Sequence, residues 1–261
     1  MILMYIQTKL RRIIAQSQQH RNNQFCGNVS QSVLACICHM EKFKYETLLL
    51  AQILLAVISP AAAKMTESDF IMDIALTLVL AAAIYVVSNT RKHFIIGMAL
   101  MVPSVILIWV SKIMHAGTVE IVAYLISLIF LCYVAYQILS DIFNVRLVTF
   151  DVIAGGISVY FFIGNIWGVL YSIIGRLDPN AFRIPAITQE YLGDSIGDVG
   201  AAMYFSFVTL TTLGYGDITP VNAIARVLAY LEAAIGQVYL TVLIASLVGM
   251  HISHRDKERK A

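Results

Sequence analysis

The sequence predicts an all-α membrane protein with six transmembrane helices, plus a short re-entrant helix and a glycine-rich loop before the last. Three observations lead there. Of the 261 residues, 59% are hydrophobic and 13% charged, against about 45–50% and roughly 25% in soluble domains. The apolar residues gather into stretches near the ~20 residues a helix needs to cross a bilayer. One further apolar run is too short to cross and turns back at once through glycines.

Taken in order, residues 1–45 form an N-terminal segment, apolar at first, then basic at Lys9 to Arg12, then rich in Gln, Asn and Ser over 16–31. Its charges follow its apolar stretch, the reverse of a secretory signal. The segment reads as interfacial or disordered, and Met40 is an alternative start. Cys36-Ile-Cys38-His39 lacks the second ligand pair of a tetrahedral metal site. The spans follow at 46–65, 69–88, 94–112, 118–142, 149–174 and 223–250. A polar loop, 176–197, and a short apolar run, 199–211, separate the last two. Residues 46–146 thus make a four-helix membrane domain, 147–250 a second domain, and 251–261 a short basic tail. With six crossings the loops on the terminal side hold thirteen Lys and Arg. The opposite side holds five: Lys64, Lys112, Arg176, Arg183 and Arg226. The excess places both termini in the cytoplasm and the chain in the cell (plasma or inner) membrane.

The chemistry concentrates in Thr212-Leu213-Gly214-Tyr215-Gly216-Asp217. Backbone carbonyls replace the water around a potassium ion if successive residues aim them at one axis. That requires alternating, partly left-handed dihedrals, which glycine adopts without a Cβ penalty. Gly214 and Gly216 have the spacing for it. On this reading the carbonyls of Thr212, Leu213, Gly214 and Tyr215 hold K+, with the Thr212 hydroxyl innermost. Tyr215 turns its ring away from the axis, and Asp217 raises cation concentration at the outer mouth.

The stretch from Tyr204 to Pro220 resembles the pore helix and selectivity filter of potassium channels, from which its filter differs at Leu213, where many carry valine. The resemblance covers about 149–250. It implies a homotetrameric pore with one pore loop per chain, flanked by an outer and an inner helix. It also makes Gly236, twenty residues after Gly216, a candidate gating hinge; the plain alternative is a small residue for close packing. Tyr204, Phe205, Val208 and Thr211 fall on the supporting pore helix. Family members often carry a Trp pair at 204 and 205 and some a Glu at 208. Phe205 and Val208 have no polar group to offer, so the braces behind this filter are expected to be sparse. Glu232, about two turns into the last span, is costly if it faces lipid unpaired and is the candidate replacement brace.

The fourth span contains neither Lys nor Arg. Each elementary charge moved is worth about 2.3 kcal/mol per 100 mV, so steep voltage gating through this helix is not expected. The expected function is passive, potassium-selective conduction. The alternative is a weakly selective monovalent cation channel, or a subunit of a hetero-oligomer. G-x-S-x-G, H-E-x-x-H and Walker motifs are all missing from the sequence, and no enzyme is expected. No cofactor is expected beyond the permeant K+. The expected partners are K+, membrane lipid and further copies of the chain; a net charge of +2 argues for no nucleic acid.

Overall fold

Each apolar stretch folds as one helix, because backbone polar groups with no water to bond must be satisfied within their own segment. The computed structural model describes residues 44–66, 70–87, 91–114, 117–144, 149–186, 188–189 and 195–260. The readings of residues 1–43, including the Met40 start, lie outside the described residues. The helices are α1 (Lys44–Thr66), α2 (Phe70–Val87), α3 (Arg91–Met114), α4 (Gly117–Asn144), α5 (Phe150–Leu177), the short α6 (Val199–Leu210) and α7 (Ala223–Lys260). Among the described residues four stretches are long and apolar enough to cross a membrane: Arg91–Ser111, Gly117–Phe143, Phe150–Leu177 and Ala223–Gly249. A shorter apolar stretch in α2 runs Ile74–Val86.

Helix α7 runs without a break through 251–260, where the sequence reading placed a separate tail. Its last residues are charged, and Glu, Lys and Arg are good helix formers once a helix is under way.

The four-helix part and the part that follows it share one core. Leu80, Tyr124, Phe130, Val134 and Ile138 of the first are buried in the same cluster as Val159, Phe162 and Val169 of α5. Along α5, Gly164 and Gly168 face α6. A Cβ on either would lie 2.7 Å from the Phe207 ring or 2.4 Å from the Met203 sulfur, so the two helices meet where side chains are missing. A second cluster, with Tyr171, Phe182, Phe205 and Ile218, packs the loops against α6. There β1 (Phe182–Arg183) pairs antiparallel with β2 (Thr219–Pro220), tying the chain before α6 to the chain after the glycines.

Two acids of α4 anchor opposite ends of this assembly. Glu120 takes an ion pair from Arg176 of α5 at 2.8 Å and a hydrogen bond from the Tyr124 hydroxyl at 3.0 Å. Asp141 accepts from the Tyr45 hydroxyl at 2.9 Å. Asp151, in the first turn of α5, accepts from the backbone N–H groups of Tyr45 and Glu46 at 2.8 and 3.3 Å. These are donors that the start of α1 cannot satisfy itself, so a neighbouring helix supplies the cap. Asp151→Ala is expected to destabilise the protein by about 1 kcal/mol. The check is thermal unfolding in lipid nanodiscs, where an unchanged midpoint would contradict this cap.

Candidate functional site

The site begins where α6 ends. At a helix C-terminus the last carbonyls lack partners and carry roughly half a negative charge, which favours a cation close by. Here the chain leaves α6 through Thr211, whose N–H bonds Phe207 O at 3.1 Å, and Thr212, whose N–H bonds Thr209 O at 2.9 Å. The next two N–H groups, of Leu213 and Gly214, both turn back to Val208 O, at 2.9 and 3.2 Å. Val208 thus holds the start of the loop through its carbonyl while its side chain is buried. Leu210 O accepts the Tyr160 hydroxyl of α5 at 3.2 Å.

Beyond that anchor the backbone alternates. Thr212, Gly214 and Gly216 have positive φ of 58°, 59° and 79°. Leu213 and Tyr215 between them do not. Glycine adopts this conformation freely, whereas a β-branched threonine there is a genuine outlier, costing on the order of 1–3 kcal/mol. The glycines at 214 and 216 were legible from composition; the left-handed Thr212 was not. Alternating handedness turns successive carbonyls to one side. Residues 211–216 are all exposed in the single chain.

Asp217 ends the loop. Its carboxylate accepts the Tyr204 hydroxyl at 2.5 Å and the Ile218 N–H at 3.0 Å. Sparse bracing was the expectation from Phe205 and Val208, which have no polar side-chain group; the phenol of Tyr204, also on α6, reaches the outer carboxylate directly. Phe205 points the other way, into edge-to-face contacts with Tyr171 and Phe182, ring centres 5.0 and 5.2 Å away. Tyr215 is exposed and lines, with Tyr204, a cavity on the flank of α6.

Glu232 is fully buried between three helices. It accepts the Tyr171 hydroxyl of α5 at 2.7 Å and the Ser206 hydroxyl of α6 at 2.5 Å. Ser206 Oγ also lies 2.8 Å from Gly164 O, so one hydroxyl hydrogen serves two acceptors in α5 and α7. The carboxyl of α7 thereby holds the middle of α6, four residues before Leu210. Sequence reasoning singled out Glu232 but missed Ser206 and Tyr171, which look like ordinary small and aromatic helix residues.

Gly236 packs directly under the end of α6. A Cβ there would sit 2.6 Å from Leu210 O and 2.8 Å from its side chain. Close approach by itself requires glycine at this position. One residue on, the Gln237 side-chain amide points to the Thr212 hydroxyl at 3.5 Å. Among the described residues no group of three His, Cys, Asp or Glu could hold a metal ion.

Two outcomes follow. Glu232→Leu strands the buried Tyr171 hydroxyl, while Ser206 keeps Gly164 O, and is expected to cost on the order of 1–3 kcal/mol, read as a lower thermal midpoint in nanodiscs; an equal or higher midpoint would count against the three-helix clamp. Tyr204→Phe frees one Asp217 oxygen while leaving packing intact, and is expected to speed the decline of current during sustained recording. Unaltered decay would show that this bond does not hold the loop.

Comparison with known proteins bears on one part of the chain. Residues 148–252 match a family model described as an ion channel, a match that runs from just before α5 into the last turns of α7. No curated protein and no solved structure gives a match. The matched residues contain α6, the alternating loop, Glu232 and Gly236, so the part of the chain that carries the site is similar to an ion channel domain. Together with the four long apolar helices, this supports an ion channel in a membrane.

Proposed function

We propose that the chain is one of four identical subunits of a potassium-selective channel, conducting K+ passively across the cell (plasma or inner) membrane with both termini cytoplasmic. The observation that carries this reading is the alternation of handedness at Thr212, Gly214 and Gly216. It is the backbone arrangement that offers a row of carbonyl oxygens to a dehydrated cation. Four carbonyls, of Thr212, Leu213, Gly214 and Tyr215, each contribute one oxygen to a ring completed by three other copies. Asp217 gathers cations at the mouth, and the C-terminal end of α6 favours a cation at the inner end.

Fourfold assembly is favoured by what one chain leaves open. Only 11% of the apolar window of α7 is buried, against 50% for α5. Copies of α7 around a common axis, with lipid outside, would cover the rest. Gating without steep voltage dependence is favoured by α4, which carries no basic residue along its length. Gly236, beneath Leu210, is the point where α7 would bend, and the Glu232 clamp is what would keep α6 in place as it does.

The test is potassium flux from liposomes carrying the purified protein and its Gly214→Ala variant. A left-handed L-residue costs about 1–2 kcal/mol, and Gly214 has φ of 59°. Wild type is expected to pass K+ and the variant to fall by roughly tenfold or more. Equal flux in the two would remove the assignment of Gly214.

A further inference from the structure

Three helices meet at a sealed set of oxygens. Glu232 of α7, Tyr171 of α5 and Ser206 of α6 are fully buried, and Gly164 of α5 is buried with them. The set holds three short oxygen–oxygen contacts. Tyr171 Oη lies 2.7 Å from Glu232 Oε2, Ser206 Oγ 2.5 Å from Glu232 Oε1, and Ser206 Oγ 2.8 Å from Gly164 O. All three fall in the range of O–H···O hydrogen bonds, and each needs a hydrogen between its two atoms, because bare lone pairs repel. Tyrosine and serine carry one hydroxyl hydrogen each, and a backbone carbonyl carries none. With Glu232 as a carboxylate, two hydrogens must fill three contacts.

The Tyr171 hydrogen goes to Oε2. The Ser206 hydrogen then has two claims on it. Only serine can fill the contact with Gly164 O, since that oxygen is a carbonyl. If the hydrogen lies there, Oγ and Oε1 face each other bare at 2.5 Å, the shortest contact of the three. If it turns to Oε1, a charge-assisted bond accounts for 2.5 Å, but Oγ and Gly164 O are left bare at 2.8 Å. A third hydrogen, on Oε1, satisfies all three contacts. Charge gives the same answer independently. Among the described residues the partners of Glu232 are the two hydroxyls, and no Lys, Arg or His pairs with it. An unpaired buried carboxylate is among the costliest groups in a low-dielectric interior; the acid avoids that cost.

We infer that Glu232 is a neutral carboxylic acid whose Oε1 donates its hydrogen to Ser206 Oγ. It completes a one-way chain: Tyr171 gives to Glu232, Glu232 to Ser206, and Ser206 to Gly164 O. Glu232 is thus a positioning residue, a donor at one oxygen and an acceptor at the other, and three full bonds hold α6. In a low-dielectric site such a chain polarises along its length, each bond strengthening the next. One consequence rests on the channel reading above; the proton itself does not. Four neutral acids put no net charge behind the loop. Four carboxylates there would tighten cation binding, whereas conduction needs sites weak enough to leave.

The test is infrared difference spectroscopy of the full chain in lipid nanodiscs at neutral pH, wild type against Glu232→Gln. Wild type is expected to show the C=O stretch of an un-ionised carboxylic acid, downshifted in D2O and missing from the variant. A carboxylate signal in its place would overturn the proposal. Ser206→Ala removes the acceptor of the acid hydrogen and is expected to move the band to higher frequency; an unmoved band would place the hydrogen elsewhere and overturn the assignment. Glutamine accepts through Oε1 and donates through Nε2, so Glu232→Gln should keep a thermal midpoint well above that of Glu232→Leu. Equal midpoints for the two variants would also count against the donor role. Potassium flux from liposomes is measured on the same wild-type protein. An acid band in a protein that passes no K+ would leave the proton on Glu232 and remove the channel reading instead.

Discussion

A cation moves through a low-dielectric layer only if something replaces its water, and in Thr212–Gly216 the backbone is the supplier on the proposed reading. Backbone oxygens have no freedom of their own; they point where φ and ψ send them. Holding a left-handed residue at every second position is therefore the constraint that the rest of the structure answers to. Glycine meets it at two of the three positions without cost. Thr212 does not, and its strain is held by the anchors around it. Val208 O takes two successive N–H groups just beyond it, Thr209 O takes its own N–H, and Gln237 approaches its hydroxyl.

Those anchors are useful only if α6 itself stays still. It is fixed on three sides by different means. The glycines of α5 let Phe207 and Met203 come close enough to interlock. The Ser206–Glu232–Tyr171 cluster joins α6 to α7 and α5 through hydroxyl hydrogens. Tyr204 ties the outer end of the loop through Asp217. Indole groups were the brace the family resemblance led one to look for; here phenol and hydroxyl groups on neighbouring positions do the holding. Toward α2, Val199 and Met203 of α6 join the same core cluster as Leu76 and Val79.

Much of this was legible in the sequence because apolar length and glycine spacing are local signals. The stretch read as 199–211 is the helix Val199–Leu210, and 149–174 is Phe150–Leu177. The last span, read as 223–250, is the apolar stretch Ala223–Gly249, although the helix itself continues to Lys260. Glu232 was noticeable because a carboxylate in a span is costly wherever it faces. Its partners were not, since Ser206 and Tyr171 are ordinary helix residues whose role depends on how three helices cross. The Tyr204–Asp217 bond spans thirteen residues across a turn of unusual dihedrals, and no pattern in the sequence announces it.

The central claim is that these backbone oxygens distinguish potassium from sodium. The direct measurement is the reversal potential of the purified protein in a planar bilayer with potassium on one side and sodium on the other. The account predicts a large displacement toward the potassium equilibrium potential. A reversal near zero, with current of either sign carried equally by the two ions, would contradict it and leave a monovalent cation pore without the selectivity that the alternating backbone is argued to provide.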